Sequence, residues 1–196
     1  MNTVNDTQPI LSILICTIQG REESYNALVY NLAKQIKDAN LQGQIEVVTS
    51  KDARGQNKIG YKRNLLLQNC KGTWAMFIDD DDMLADGSLA LIIHKLKTEN
   101  PDVIKLEGIL TTDGKNPQVF IHSLNIKEWY ERGGVFYRPP NHLNPIRTAI
   151  SKNFRFPDIN HGEDREWSMA ICNAGVLRTE SNIDMAYYFY NFVSNK

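Results

Sequence analysis

Trp74-Ala75-Met76-Phe77-Ile78-Asp79-Asp80-Asp81-Asp82-Met83-Leu84 is the stretch on which the reading of the chain turns. Five largely apolar residues run into four consecutive carboxylates, and the chain then turns apolar again. A short apolar run rich in bulky side chains reads as a buried strand rather than a helix. Four adjacent like charges repel one another, and burying them without partners carries a large desolvation cost. A strand end opening into a cleft accommodates them, with a divalent cation neutralising the cluster. Mg²⁺ and Mn²⁺ take oxygen ligands, usually one or two carboxylates together with phosphate oxygens. The acids by themselves are also compatible with a helix N-terminus, whose dipole favours negative charge.

Working outward, Ile10-Leu11-Ser12-Ile13-Leu14-Ile15-Cys16-Thr17 is a near-continuous apolar run, as expected of a strand covered on both faces of a parallel sheet. Tyr25, Leu28, Val29, Leu32 and Ile36 then fall at helical spacing, and Ile45-Glu46-Val47-Val48-Thr49 reads as a second strand. This is a βαβ unit, which favours a parallel pair. Residues 57–70 predict a second helix that carries Lys58, Lys62 and Arg63 just ahead of the acids, with Gly72 where it would stop. An acidic cluster holding a metal and a basic helix beside it suit a diphosphate, since a guanidinium makes the paired hydrogen bonds that phosphate oxygens favour. A solvated basic helix face is the plainer reading of those cations. Leu89, Ile92, Ile93 and Leu96 predict a third helix, and residues 101–106 a further strand. The alternation predicts an α/β sandwich that binds its ligand at the strand C-terminal ends.

From about residue 108 glycines and prolines cut the chain into short pieces. Gln118-Val119-Phe120-Ile121 and Val135-Phe136-Tyr137-Arg138 predict short strands, Lys127-Glu128-Trp129-Tyr130 a short helix, and Thr148-Ala149-Ile150 a strand after a polar loop at residues 142–147. Trp129 and Tyr130 suit stacking or core packing equally. His161-Gly162-Glu163-Asp164-Arg165-Glu166-Trp167 opens a last helix that ends at Gly175, and Met185-Ala186-Tyr187-Tyr188-Phe189-Tyr190-Asn191-Phe192 predicts a closing strand.

The totals bound the functions. A chain of 196 residues fits one domain with a substantial core. A net charge of −1 argues against a protein built to grip nucleic acid. Cys16, Cys70 and Cys172 are too scattered for a disulfide framework or a zinc site. Residues 1–9 are polar and read as a flexible tail rather than a leader peptide, and no apolar run reaches membrane-spanning length. A cytoplasmic protein is expected.

Phe77-Ile78-Asp79-Asp80-Asp81-Asp82, flanked by Gly72-Thr73-Trp74 and Met83-Leu84, resembles the DxD segment of GT-A glycosyltransferases, in particular family 2. Cys16-Thr17-Ile18-Gln19-Gly20-Arg21 is similar to the family's first-strand turn, Gly60-Tyr61-Lys62-Arg63-Asn64 to its G-x-x-x-ARN helix, and Glu163-Asp164 to its Glu-Asp pair. The resemblance implies a GT-A fold, a Rossmann-like three-layer α/β/α sandwich with a mostly parallel central sheet. Residues 10–107 would form the nucleotide-sugar half and residues 108–196 the acceptor half of one domain. It further implies a metal-dependent, inverting transfer from a nucleotide sugar, with a UDP-sugar the expected donor, to a hydroxyl on a glycan, protein, lipid-linked or modified-base acceptor. Asp164 would be the general base with Glu163 beside it. Asp81 and Asp79 would hold Mn²⁺ or Mg²⁺. Thr17, Arg21, Lys58, Arg63, Asp79 and Asp80 would contact the donor. The family's second strand ends in Asp-Asp-Gly-Ser, where this chain has Thr49-Ser50-Lys51-Asp52, so Asp52 is either a late base-recognition acid or a turn residue. The family's later metal-binding histidine has no counterpart after His161. Two other classes stay open: a catalytically silent sugar-nucleotide or glycan-binding module, and a phosphotransferase with an aspartate nucleophile.

Overall fold

The computed structural model describes residues 8–192; residues 1–7 of the polar tail and residues 193–196 lie outside the described residues. Leu11–Ile18 is β1, Glu22–Asp38 is α1, Ile45–Asp52 is β2, Ile59–Asn69 is α2 and Trp74–Phe77 is β3. β1 lies between β2 and β3, parallel to both, with Leu11 opposite Ile45 on one side and Trp74 on the other. Successive strand side chains point to opposite faces. Leu11, Ile13 and Ile15 therefore pack with Leu28 and Leu32 of α1, while Leu14 and Cys16 pack with Leu66 and Leu67 of α2. Both faces are covered by helices, which is why the run is apolar throughout instead of alternating.

Met83–Leu84 is β4, Ser88–Glu99 is α3 and Val103–Ile104 is β5. Leu106–Thr112 is β6, Lys115–His122 is β7, Tyr130–Arg132 is β8, Val135–Arg138 is β9 and Ile146–Arg147 is β10. Thr148–Ser151 is α4, Glu163–Ala174 is α5, Glu180–Ser181 is β11 and Tyr188–Phe192 is β12. The first sheet has the order β11-β5-β10-β3-β1-β2, and the second β4-β12-β6-β7-β9-β8. Leu89, Ile92, Ile93 and Leu96 of α3 join α1 on one face of the first sheet, and Trp167 and Ile171 of α5 join α2 on the other. This is the three-layer arrangement expected, with β10 as an antiparallel insertion between β3 and β5 and a second mixed sheet beside it.

Two local expectations fail. Residues 127–130 form no helix: Tyr130 starts β8 and lies opposite Tyr137, the two rings stacked 4.9 Å apart. One helical turn nucleates poorly by itself, and the cross-strand ring pair takes the tyrosine instead. Residues 148–150 are helix rather than strand. Thr148 donates its backbone N–H to Thr73 O and its hydroxyl to Gly72 O, which turns the chain off the end of β10. The strand lies earlier, in the segment that reads as a polar loop.

Candidate active site

The cleft is built where β1 and β3 end. The four acids follow β3 and scatter, because Asp82 N–H donates to Asp79 O and the chain turns there. Asp79 Oδ1 lies 3.0 Å from Arg63 Nη2. Asp80 is buried, accepts from Thr17 Oγ1 at 2.6 Å and pairs with Arg21 Nη1 at 2.5 Å. Asp81 Oδ2 lies 3.2 Å from Arg21 Nη2. Asp82 points inward, accepting from the Tyr188 hydroxyl at 2.7 Å and the Asn191 N–H at 3.3 Å. Burial, with Asp79 and Asp80 nearby, pushes the Asp82 carboxyl well up. Burial alone would also raise Asp79, but Arg63, with His142 close by, more than offsets it and holds that carboxyl well below the usual range.

Arg63 is the hub. Its side chain is 5% exposed, its Nη1 lies 3.0 Å from Glu163 Oε1, and it sits against the rings of Phe77 and Phe156. One guanidinium thus joins the acid after β3 to the acid that begins α5. Burial pushes the Glu163 carboxyl up, with Arg63 opposing. Burial pushes the neighbouring Cys16 thiol up to about 12, so it stays an unreactive neutral thiol. Gly60 makes the approach possible. A Cβ there would come 1.9 Å from Pro157 O, so only glycine lets the loop carrying Asn160 and His161 close over the start of α2. Asn160 Oδ1 then accepts from Ile59 N–H at 3.2 Å and helps cap that helix.

Three cavities follow one another along the cleft. The first, about 370 Å³, is lined by Thr17, Arg21, Arg54, Asn57 and His161. The second, about 440 Å³, shares Arg21 and His161 with it and adds Arg63, Asp79, Asp80, Asp81 and Glu163. The third, about 220 Å³, shares Asp79 and Tyr190 with the second and is lined also by Trp129, Arg138, Asn141, His142 and Asp164. The cleft therefore brings together Thr17, Arg21, Arg63, Asp79, Asp80, Asp81, Glu163 and Asp164. Asp79 and Asp164, remote along the chain, line one cavity.

Two predicted donor contacts fall outside. Lys58 is exposed at the N-terminus of α2 and lines none of the three cavities. Asp52 at the end of β2 is turned to Lys62 Nζ at 2.9 Å and Asn57 Nδ2 at 3.2 Å. Burial would raise its carboxyl, but these donors more than offset that and lower it. Asn144 is buried against His122 and Ile104 O, and Arg147 lies over Trp74, so both serve the fold.

Arg138, Asn141, His142 and Tyr190 line the cleft without having been singled out for it. His142 is placed there because its backbone carbonyl accepts from Phe77 N–H at the end of β3. Its ring is buried, and burial together with Arg63 lowers its pKa. The signal present in the sequence was a polar segment bracketed by Pro140 and Pro145, whose burial single residues do not betray.

Asp79 and Asp81 both bring a carboxylate to the second cavity. Among the described residues no three His, Cys, Asp or Glu side chains are grouped to hold a metal alone. Mg²⁺ or Mn²⁺ completed by diphosphate oxygens and water fits such a donor set.

A sandwich of this kind, with an acidic cleft and basic walls at its strand ends, has the GT-A fold. The family model described as "Glycosyl transferase family 2" matches residues 29–162, and the chain belongs to that family. The match stops just before Glu163 and Asp164, whose placement rests on the geometry above. Among solved structures the chain is similar to S. aureus TarS 1-349, at 18% identity and TM-score 0.65, covering 92% of this chain and 60% of that one. It is likewise similar to the same protein in complex with UDP-GlcNAc, at 17% identity and TM-score 0.66, over 95% of this chain and 59% of that one. A further structure of TarS 1-349 is in complex with UDP, at 19% identity and TM-score 0.65, over 92% of this chain and 60% of that one. The chain thus spans about three-fifths of the length of these neighbours. A search among curated proteins finds no match.

Proposed function

We propose that this domain moves a sugar from a UDP-sugar to an acceptor hydroxyl with inversion at the anomeric carbon. The observation that carries the reading is the shared cavity. Asp79, at the diphosphate end, and Asp164, at the start of α5, face one space that opens into the basic-walled cleft. The UDP and UDP-GlcNAc complexes of the TarS neighbour support the donor class. Thr17, Arg21 and Arg54 line the nucleoside end, and Arg21 and Arg63 meet the diphosphate. Mn²⁺ or Mg²⁺ held by Asp81 and Asp79 would supply positive charge for the leaving nucleoside diphosphate. Asp164, in the first turn of α5 and lining the third cavity, takes the proton of the attacking hydroxyl as the new bond forms. Glu163 is a positioning residue that acts through Arg63.

Asp164→Asn keeps the shape of the carboxylate and removes the base. Transfer from a UDP-sugar panel with Mn²⁺ is expected to fall by at least about 10²-fold, with UDP affinity within twofold of the unaltered protein. Turnover near normal in that variant overturns the base assignment. Absence of any product from the unaltered protein, with UDP still bound, would favour a silent binding module.

A further inference from the structure

The third cavity holds hydrogen-bonding groups that the transfer reaction as described does not use. The Asn141 side chain is fully buried, and its Oδ1 already accepts from Leu143 N–H at 3.0 Å, which leaves its amide nitrogen as the free end. That Nδ2, the Trp129 Nε1 and the His142 Nδ1 are buried without a hydrogen-bond partner among the described residues, and the His142 Nε2 comes no nearer than 4.0 Å to Asp79 Oδ2. Unpartnered buried polar atoms are uncommon and call for an explanation. Arg138 lies with its guanidinium 4.3 Å from the centroid of the Trp129 ring. It forms no ion pair within 4.0 Å among the described residues.

Indole, amide nitrogen and guanidinium are donors only. A sugar hydroxyl meeting them must still place its own proton. A carboxylate offers about four acceptor positions and no proton, and it can pair directly with Arg138, which Asp164, the acid that acts on it across the cavity, does not within 4.0 Å. The two acids of the cavity do not exclude it: Asp79 is paired with Arg63, and both acids can accept from ring hydroxyls. The volume, about 220 Å³, admits a sugar-sized group. Because the cavity joins the diphosphate cleft through Asp79 and Tyr190, the unit that fills it is the one attached to the diphosphate.

We infer that Arg138, Trp129 and Asn141 form a carboxylate-reading subsite and that the sugar this domain takes from its donor is a hexuronic acid. The inference rests on the donor reading above and goes beyond it by naming the sugar class. Arg138 is its specificity-determining residue.

Calorimetric titration of the purified protein with Mn²⁺ tests it, using UDP, UDP-glucose, UDP-N-acetylglucosamine, UDP-glucuronate and UDP-galacturonate. At least one uronate donor is expected to bind tenfold or more tightly than both neutral sugars. Arg138→Met should erase that preference while leaving the Kd for UDP within twofold. The comparison of acid and neutral donors on the unaltered protein decides the matter even if the variant does not fold. UDP binding with no preference for either uronate overturns the subsite and leaves the donor reading standing. Failure to bind UDP or any UDP-sugar overturns the donor reading, and the subsite with it. Free glucuronate binding to the UDP-loaded protein as tightly as the uronate moiety adds to UDP would move the carboxylate to the acceptor and overturn the donor assignment.

Discussion

Replacing Arg63 with methionine should cost the fold far more than a typical substitution. The change strips the shared cation from Asp79 and Glu163, each 3.0 Å away, while keeping an unbranched chain between Phe77 and Phe156. Removing one partner of a buried ion pair costs about 3–5 kcal/mol. The two acids left behind are not equally stranded. The Asp79 side chain is 33% exposed and keeps some water, whereas that of Glu163 is 6% exposed and keeps almost none. The lower end, about 3 kcal/mol, is therefore expected. Unfolding entropy near 2.1 cal/mol/K per residue gives roughly 0.4 kcal/mol/K for a chain of 196 residues. The melting temperature should then fall by about 7 °C. The pH dependence identifies the cause. Burial already raises Glu163, and losing Arg63 raises it further above its unfolded value of about 4.3. A raised carboxyl costs stability as pH climbs from the unfolded towards the folded pKa. Arg63 also lowers Asp79, a contribution present above the unfolded pKa and lost as pH falls. The Asp79 contribution is present at both pH 5 and pH 8, so the Glu163 effect makes the deficit larger at pH 8 than at pH 5. Thermal melts of the two proteins at those two pH values suffice. A deficit under 2 °C at pH 8, or one of equal size at both, would refute the role of Arg63 as the shared counter-charge.

Two further substitutions separate fold from function among the remaining acids. Asp82→Asn keeps an acceptor for Tyr188 or Asn191 and removes a carboxyl whose pKa burial has raised, so the variant should melt at or above the unaltered protein at pH 8 and lose that advantage near pH 4. A drop of more than about 3 °C at pH 8, about 1 kcal/mol, would mean that the ionised carboxylate holds β12. Asp52→Asn unpairs the buried Lys62 and should lower stability at pH 7 by about 1–3 kcal/mol, with the difference shrinking below about pH 4, because the Asp52 pKa is lowered. UDP affinity, read by calorimetry, should change less than threefold; a tenfold loss would return Asp52 to base recognition.

What was legible in the sequence depended on whether the cause was local. Apolar runs in β1 and β3 and the spacing of α1 and α3 follow from burial on fixed faces, and the residues that express it are neighbours in sequence. Thr17, Arg21 and Arg63 were within reach because they sit next to strand ends or on the helix between them. The third cavity was not. Arg138 closes β9, Asn141 and His142 precede β10, and β10 pairs antiparallel with β3 across a long insertion. Nothing within residues 138–147 encodes that pairing, so a buried polar wall reads as an exposed loop. Thr148 misled for a related reason: β-branching favours a strand only where a strand partner exists, and its hydroxyl and N–H are taken by Gly72 and Thr73.

The acidic run itself shows how a sound physical premise can reach past what it requires. Four adjacent carboxylates repel, and a divalent cation is one remedy, yet the chain supplies its own. Arg63 faces Asp79, Arg21 faces both Asp80 and Asp81, and burial favours the neutral form of Asp82. Arg63 is shared with Glu163, so one guanidinium serves two acids across the cleft. That balance is tolerable while water reaches Asp79 and Asp81, whose side chains are 33% and 17% exposed. Bringing in a diphosphate adds negative charge and removes that water together, which raises the cost of every carboxylate it approaches. On the proposed reading, a divalent cation would be called for by the nucleotide rather than by the fold. Two carboxylates, with no third protein ligand grouped beside them among the described residues, would suit such a proposed site, since the diphosphate that adds the charge would also supply the remaining oxygens.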